Sequence, residues 1–404
     1  MRRRDFVKAA LAAPWLSQRS WAIEIPPDAR IVRVIGLEIK CQRSKVAGKN
    51  ARLDVHGDSS RDRLAVVMTN AGVQGIGDCR MKSGDAAQLL GKSVREFFDP
   101  ETRRFVGPIG VGTMPLWDLA GNLLGKSIAE LLGGKPRPVP VYDGSIYFAD
   151  LLPAYATRWQ DRFRAELDMA QALGHRAAKI KIGRGAKWMP RDEGDARDAA
   201  VVRLLREHVG KDFILGVDAN NGYDLDGTKR LFERIGDCDI AFAEEMFPEE
   251  VSQCLDFQGF LRERGLKTLV ADGETQTSLE VFKPFMEAKA IDIYQGDMHH
   301  FGYEGILTEA AWAKPHGLQV APHNWGHLVA FYMQLHVGCA VDNFYRAEHD
   351  PLRCDVLGAD GYVIKNGLSS VPDAPGSGLQ LAKSVLAGEF PPEQVKLLYD
   401  VKGT

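Results

Sequence analysis

Residues 139 to 356 alternate between short apolar runs and helical patterns, and this repeat constrains the fold more than any other feature of the chain. The runs predict strands at residues 141–146, 177–182, 214–218, 240–244, 268–271, 291–295, 318–321 and 344–347. Most of them follow a glycine placed where a helix would end, at Gly174, Gly210, Gly236, Gly265 and Gly317. Units repeated in this way favour a TIM-type α/β barrel, with an open doubly wound sheet as the alternative.

The part of the chain before this repeat has a different pattern. Residues 31–39 and 64–68 have strand chemistry, and the second run is followed by a turn. Leucines at helical spacing come next, and Gly133 and Gly134 are expected to end that helix. We therefore predict an α+β capping domain over residues 30–138, a barrel over residues 139–356, and a C-terminal segment, 357–404, that packs back on the cap.

Composition narrows the class of partner. The 404 residues include 51 Lys plus Arg and 54 Asp plus Glu, for a net charge of -3. No bulk basic field is available for nucleic acid or an anionic membrane, so a small-molecule partner is expected. The six cysteines contain no C-x-x-C pair and are predicted to be buried thiols; in an exported chain some would pair, but their spacing gives no connectivity.

The N-terminus resembles a twin-arginine export signal. Paired arginines at Arg2 and Arg3 precede Phe6, a short apolar stretch follows at residues 9–16, and small residues precede a possible cleavage point after Ala22. The apolar stretch is far too short to span a bilayer. We predict that residues 1–22 direct the protein to the periplasm, with a cytoplasmic enzyme that has a basic N-terminus as the alternative.

Nearly every predicted barrel strand ends in a polar side chain. These strand ends carry Lys179 and Lys181, Asp218 and Asn220, Glu244 and Glu245, Glu274, Asp297, His323 and Glu348. Barrel active sites lie at the carboxyl ends of the strands, so these side chains are expected to converge. Three of the carboxylates offer the hard oxygen ligands of a divalent cation, and the lysines beside them suggest chemistry on a carboxylic acid.

In this order and spacing the motifs resemble those of the enolase superfamily, mandelate racemase subgroup. The matching segments are Lys179-Ile180-Lys181-Ile182-Gly183, Val217-Asp218-Ala219-Asn220, Ala243-Glu244-Glu245, Asp272-Gly273-Glu274, Gln295-Gly296-Asp297 and Val320-Ala321-Pro322-His323. In the first domain, residues 116–121 and 131–134 resemble the family's linker to the barrel. The resemblance covers nearly everything after residue 30, and it implies a modified (β/α)7β barrel with an α+β cap.

The resemblance also implies the central site residues. Asp218, Glu244 and Glu274 would bind one Mg²⁺ per subunit, and Lys181 would be the base on one face of the substrate. Lys179 lies two positions earlier on the same strand and points the same way. Its like charge, beside the dication, is expected to favour a neutral Lys181, and Lys179 would also neutralise the carboxylate.

On the opposite face, His323 with Asp297 resembles the family's His-Asp dyad, in which the carboxylate orients the imidazole. His327, four residues later, is the rival candidate. Glu348 resembles the carboxyl group that hydrogen-bonds the substrate carboxylate in mandelate racemase. Asn220 is also expected to contact the substrate.

Arg43 and Lys45 are the substrate contacts predicted from the first domain. They lie in a Gly-containing stretch with Lys49, Arg52 and His56 that we expect to form a mobile lid over the barrel mouth, with a solvated loop as the alternative.

The leading functional hypothesis is a hydro-lyase that dehydrates a sugar acid or related hydroxy acid to a 2-keto acid. Racemisation or epimerisation of an α-hydroxy acid is the runner-up, because bases on both faces suit it equally. Cycloisomerases and dipeptide epimerases of the superfamily typically carry a lysine where this chain has Asp297, so the resemblance disfavours these two activities. A catalytically silent acid-binding protein is the third hypothesis, and a homo-oligomer is expected from the resemblance.

Overall fold

The computed structural model describes residues 21–107, 109–110 and 112–403. An antiparallel sheet opens the cap, built from β1 (Ile31–Ala47), β2 (Gly57–Thr69) and β3 (Gln74–Asp78). Two short strands, β4 (Phe98–Asp99) and β5 (Arg104–Phe105), form a separate hairpin. Most of the proposed signal segment lies outside the described residues; its last residue, Ala22, is buried in the core.

Strand β1 is longer than the sequence predicts, and its second half changes the interpretation of the lid. From Ile39 to Ala47 buried and exposed residues alternate strictly. Cys41, Arg43 and Lys45 therefore share the buried face of a regular strand. The predicted mobile lid at these positions is instead the end of a sheet strand.

The cap contains three helices, α1 (Ser83–Ala87), α2 (Met114–Leu124) and α3 (Ile128–Leu131). The single predicted helix is in fact two, because Gly125 adopts a left-handed conformation with φ of 64° and ends α2. Helix α2 packs closely on β3 through Gly75, where a Cβ would lie 2.4 Å from the backbone nitrogen of Leu119.

The barrel repeats strand and helix as predicted. Its parallel strands are β6 (Val139–Ile146), β7 (Ala177–Lys181), β8 (Ile214–Asp218), β9 (Ile240–Glu244), β10 (Leu269–Asp272), β11 (Ile293–Tyr294), β12 (Gln319–Val320) and β13 (Ala347–His349). The helices between them are α4 (Trp159–Ala172), α5 (Arg191–Val209), α6 (Leu225–Ile235), α7 (Val251–Glu263), α8 (Lys283–Ala288), α9 (Met298–Ala313) and α10 (Leu328–Ala340). The strands pair in sequence order from β6 to β12. The two ends of this run of strands, β6 and β12, are brought together by the segment that contains β13. Strand β13 pairs with β6, and Phe344 forms a parallel bridge to Val320 of β12.

Short 3₁₀ turns punctuate the chain at Trp21–Glu24, Val94–Phe97, Ala149–Leu151, Arg184–Ala186, Gly236–Cys238 and Lys314–His316. The structure moves the last barrel strand three residues along from the predicted position, so that Glu348 lies in the middle of β13. Phe344 and Tyr345 only bridge to β12, and the strand itself is formed by Ala347, Glu348 and His349.

The C-terminal segment contacts both parts of the molecule. It contains β14 (Leu352–Arg353), β15 (Leu357–Gly358), β16 (Ile364–Lys365), β17 (Leu368–Ser369), β18 (Gln380–Leu381), α11 (Lys383–Ala387) and β19 (Val395–Lys402). Strands β14 and β19 pair with β1, whereas β17 extends the barrel sheet beside β6. The predicted boundaries at residues 138 and 356 stay predictions. No described helix is long and apolar enough to cross a membrane.

A buried ion-pair cluster fixes the loop that follows β7. The guanidinium of Arg184 is fully buried and contacts Asp150 at 2.8 Å and Asp198 at 2.5 Å. Replacing Arg184 with Met leaves the buried Asp198 without its ion-pair partner, whereas Asp150 keeps only Arg197. We therefore expect the free energy of unfolding, measured by urea denaturation, to fall by about 3–5 kcal/mol. Replacing Arg203, whose ion pair with Asp237 is exposed, should cost less than about 1 kcal/mol. Equal losses for the two variants would contradict this account.

Candidate active site

Three carboxylates converge at the carboxyl ends of neighbouring strands. Asp218 ends β8 and Glu244 ends β9, and the parallel register places these two residues directly side by side. Glu274 follows β10 by two residues. One oxygen from each carboxylate lies within 4.8 Å of the other two, with Asp218 and Glu244 fully buried. The predicted set of hard oxygen ligands is therefore assembled.

These acids fit a magnesium ion. Burial, reinforced by the charge of Asp218, raises the pKa of Glu244 well above its ordinary value. Both effects disfavour the ionised form of a second carboxyl group at this position. Atom Oε2 of Glu274 is buried and makes no hydrogen bond, although Nε2 of His323 lies 3.2 Å away as an ion-pair contact. Mg²⁺ prefers a few carboxylate oxygens and keeps positions for water or substrate. The donor set and the unsatisfied oxygen both match that preference.

Replacing Glu244 with Gln should remove most of the affinity for magnesium. Losing a direct ligand costs more than the ~10- to 100-fold typical of groups that only support ligands, so we expect a loss above about 100-fold in isothermal titration calorimetry. Glu263→Gln, at the exposed end of α7, is the control and should bind magnesium normally. Unchanged affinity in the Glu244 variant would remove this residue from the metal site.

Lys179 lies at the centre of the acids. Its Nζ is 2.6 Å from Glu244, 2.9 Å from Glu348 and 3.0 Å from Asp218, and the side chain is fully buried. Burial disfavours its charge, but Glu244 and Glu348 outweigh that effect and raise the pKa of Lys179 well above the ordinary value. Lys179 therefore holds the carboxylates together as a permanent cation.

The three carboxylates Asp218, Glu244 and Glu274 follow one another in strand order as a row, and Lys181 lies at the Asp218 end of it. Its Nζ donates to Asp218 and, at 3.0 Å, to Oδ1 of Asn220. Burial lowers the pKa of Lys181, but Asp218, together with Tyr147 and Glu274, outweighs burial and holds the net pKa above the ordinary value. The predicted effect of Lys179 is present and acts downward, yet it is smaller than that of the acid. A cation on Asp218 would reverse the sign of this local field.

His323 lies at the other end of the row. Its Nδ1 is 2.7 Å from Oδ2 of Asp297, and its Nε2 is 3.2 Å from Glu274 and 3.8 Å from Glu348. Burial opposes its protonation, but Glu274 and Glu348 outweigh burial and raise the pKa of His323 to about 9. The predicted dyad pair is thus in contact, with a protonated imidazole beside the acids.

Asp297 is held in place by the helix that it begins. It is the N-cap of α9, and its Oδ1 accepts from the backbone N–H groups of His299 at 2.6 Å and His300 at 3.2 Å. The other oxygen remains free to orient His323. One carboxylate oxygen of Asp297 therefore caps the helix, as N-cap residues ordinarily do, while the other orients the imidazole of His323.

Two further predicted residues join the site. Glu348 bridges Lys179, through Oε1, and the backbone N–H of Asn324, through Oε2 at 3.0 Å. Asn220 has a positive φ of 42°, and its amide nitrogen donates to Glu274 at 3.1 Å while its oxygen accepts from Lys181. Asn220 therefore connects the lysine end of the row to the acids.

The other predicted substrate contacts lie elsewhere. Arg43 forms a buried pair with Asp350 at 2.6 Å, and Lys45 forms one with Glu166 at 2.8 Å. These pairs join the cap to the barrel, so neither cation is free to meet a substrate. His327, the rival to His323, stacks on His299 with ring centroids 3.7 Å apart.

An aromatic wall beside Lys181 escaped the sequence analysis. Tyr147 and Trp325 stack with centroids 4.5 Å apart, and Nζ of Lys181 lies 5.3 Å from the Tyr147 ring. The indole N–H of Trp325 donates to His56 at 3.3 Å. Tyr147 directly follows the first predicted strand and Trp325 lies two residues after His323, so extending the strand-end comparison to uncharged residues would have found both.

Comparison with known proteins agrees with this geometry. Residues 162–385 match the family model described as "Enolase C-terminal domain-like". D-galactarolactone cycloisomerase of Agrobacterium fabrum is 30% identical over 287 residues, which are 67% of this chain and 70% of the relative. Arabinonate dehydratase of Saccharolobus solfataricus is 30% identical over 283 residues, 69% of this chain and 70% of the relative. A crystal structure of a galacturonate dehydratase variant from Geobacillus sp., complexed with Mg, has a TM-score of 0.85 at 30% identity, covering 90% of this chain and 96% of the other.

Proposed function

Because the chain belongs to the enolase superfamily, we propose that it removes the proton α to the carboxylate of a sugar acid and eliminates water to form a 2-keto acid. The observation that carries this proposal is the placement of Lys181 and His323 at opposite ends of one carboxylate row. Two of the compared relatives are named as dehydratases of arabinonate and galacturonate, which supports a sugar acid as substrate.

Asp218, Glu244 and Glu274 would hold one Mg²⁺ per subunit. When bound, the ion supplies positive charge that stabilises the negative charge developing on the substrate carboxylate. Lys179 keeps two of the ligand carboxylates, Asp218 and Glu244, in place through its contacts with them. Glu348 would hydrogen-bond the substrate carboxylate.

The proton transfers belong to the two ends of the row. Lys181 takes the α-proton in its neutral form, which a cation on Asp218 would favour. Asn220 keeps its amine oriented. His323, already protonated beside the acids, gives its Nε2 proton to the departing β-hydroxyl, which leaves as water. The enol that results gains a proton at carbon, loses the proton of its hydroxyl group and becomes the 2-keto acid.

The test is a library of aldonates, aldarates and uronates incubated with the protein and Mg²⁺. We expect 2-keto acid from at least one member, detected as a semicarbazone. No keto acid from any member would overturn the dehydratase proposal. The library should include a sugar lactone, because one relative of equal identity is named as a cycloisomerase.

Racemisation or epimerisation is the second candidate, and the same two-ended arrangement of bases favours it. Exchange of the α-proton for solvent deuterium with no keto acid would identify that activity. Tight binding of an acid with neither exchange nor turnover would identify a silent binding protein. We also propose a homo-oligomer, for which light scattering of the purified protein is the measurement.

We propose that residues 1–22 direct export. The supporting pattern is the arginine pair followed by a short apolar stretch. Fused to a reporter enzyme in a bacterium with twin-arginine machinery, this segment should place the reporter in the periplasm, and replacing both Arg2 and Arg3 with Lys should retain it in the cytoplasm. Equal localisation of the two fusions would contradict the proposal.

A further inference from the structure

The pairing of two short stretches places two cysteines opposite each other. Strands β1 and β14 run antiparallel, with Gln42 facing Arg353 and Arg43 facing Leu352. The next pair in that register is Cys41 and Cys354. Opposed residues in such a ladder have Cβ atoms about 4.5–5.5 Å apart, near the separation that a disulfide spans. The two thiols also interact, because each shifts the pKa of the other.

The two thiols are chemically unequal. Cys41 is fully buried, and its hydrogen bond with Cys354, followed by burial, raises its pKa. Cys354 is partly exposed, and the same hydrogen bond lowers its pKa. The thiolate is the reactive form of cysteine, and it must be reachable. Cys354 meets both conditions, whereas burial raises the pKa of Cys79 and of Cys254 to about 12.

We propose that Cys41 and Cys354 form an oxidisable pair whose disulfide joins the first cap strand to the segment that follows the last barrel strand. The Cys354 thiolate attacks one sulfur of an external disulfide and releases one thiol. The Cys41 thiol, after losing its proton, then attacks the Cys354 sulfur and releases the second thiol. Two protein thiols are oxidised and one external disulfide is reduced to two thiols.

The bond would tether a strand end that supports the site. Arg43, two residues from Cys41, pairs with Asp350 and lies 4.6 Å from the Trp325 ring. Asp350 also accepts from the backbone N–H of Gly326 at 3.1 Å. A disulfide beside this pair would hold β1 and the aromatic wall in register. It would also close a very long loop of chain, which limits the unfolded state strongly in the chain-entropy model.

The test oxidises the full-length protein with oxidised glutathione, blocks residual thiols with N-ethylmaleimide under denaturing conditions, and maps the peptides by mass spectrometry. We expect a peptide containing Cys41 linked to one containing Cys354, and four blocked thiols in place of six. The oxidised protein should unfold at a temperature several degrees higher than the reduced protein. Six blocked thiols, or a different linked pair, would overturn the proposal.

Serine variants distinguish the roles of the two sulfur atoms. In Cys41→Ser, glutathione should remain attached to Cys354 as a mixed disulfide, because the second attack is lost. In Cys354→Ser, which alters only a partly exposed side chain, Cys41 should stay reduced. Cys339→Ser, whose Sγ contacts the backbone carbonyl of Arg137, is the matched control and should form the disulfide normally. Persistence of the linked peptide without Cys354, or rapid glutathionylation of Cys41 there, would contradict the assigned order of attack.

Discussion

Replacing Lys181 with Met lowers the rate of 2-keto acid formation by about 10²- to 10⁴-fold, the contribution expected of a positioned acid-base group. Methionine keeps the length and apolar stem of lysine but has no amine to accept the α-proton. The acids still contact Lys179, so we expect magnesium binding to persist. The measurements are kcat for the substrate found in the library and magnesium affinity by calorimetry.

The matched control is Lys314→Met. Lys314 lies on the surface in an exposed ion pair with Asp342, and such pairs contribute little. Its kcat should equal that of the unaltered protein. If the Lys181 variant kept its turnover within a few-fold while the control behaved normally, Lys181 would not be the base.

His323→Asn is the second variant with a large effect, and isotope exchange gives it a distinct signature. Water elimination should fall by about 10²- to 10⁴-fold, because asparagine cannot protonate the departing hydroxyl. Lys181 is untouched, so exchange of the substrate α-proton with D₂O should continue, whereas it should stop in Lys181→Met. NMR of the substrate in D₂O measures exchange, and the keto-acid assay measures elimination.

The opposite outcome is equally informative. If His323→Asn abolished exchange and Lys181→Met retained it, the two residues would have exchanged roles. His316→Asn, in the turn before β12 at the far end of the barrel, is the control and should retain both activities. An unchanged elimination rate in His323→Asn would remove the dyad from the mechanism.

The strands that carry the acids were predictable because local pattern and burial agree. The strands ending at Asp218 and Glu244 have the predicted bounds, and their apolar residues are buried on both faces of a parallel sheet. Because polar residues follow successive predicted strands, the sequence also indicated that these residues meet at one end of the barrel. Short strands such as β11 and β12 were overextended in the prediction, because apolar residues beside a strand look like the strand itself.

The roles of Arg43 and Lys45 were not predictable for a physical reason. A strand that buries cations has no apolar alternation, so its sequence resembles a solvated loop. The compensating acids, Asp350 and Glu166, lie far along the chain, and only the fold reveals that the charges are paired. The pKa of Lys181 likewise depends on a contact that the spacing does not show, because Asp218 raises that pKa by more than the like charge of Lys179 lowers it.

The pairing of β1 with β19 has a consequence for biogenesis. The sheet begun by residues 31–47 acquires one of its edges only when residues 395–402 have been synthesised. The barrel lies between them in sequence and can form its local βα contacts earlier, whereas the cap must wait for a contact that spans almost the whole chain. Contacts of such long sequence separation form slowly. During synthesis a barrel would therefore lie beneath an unfinished cap, and the arrival of residues 395–402 would be the event that permits the enclosure of the site.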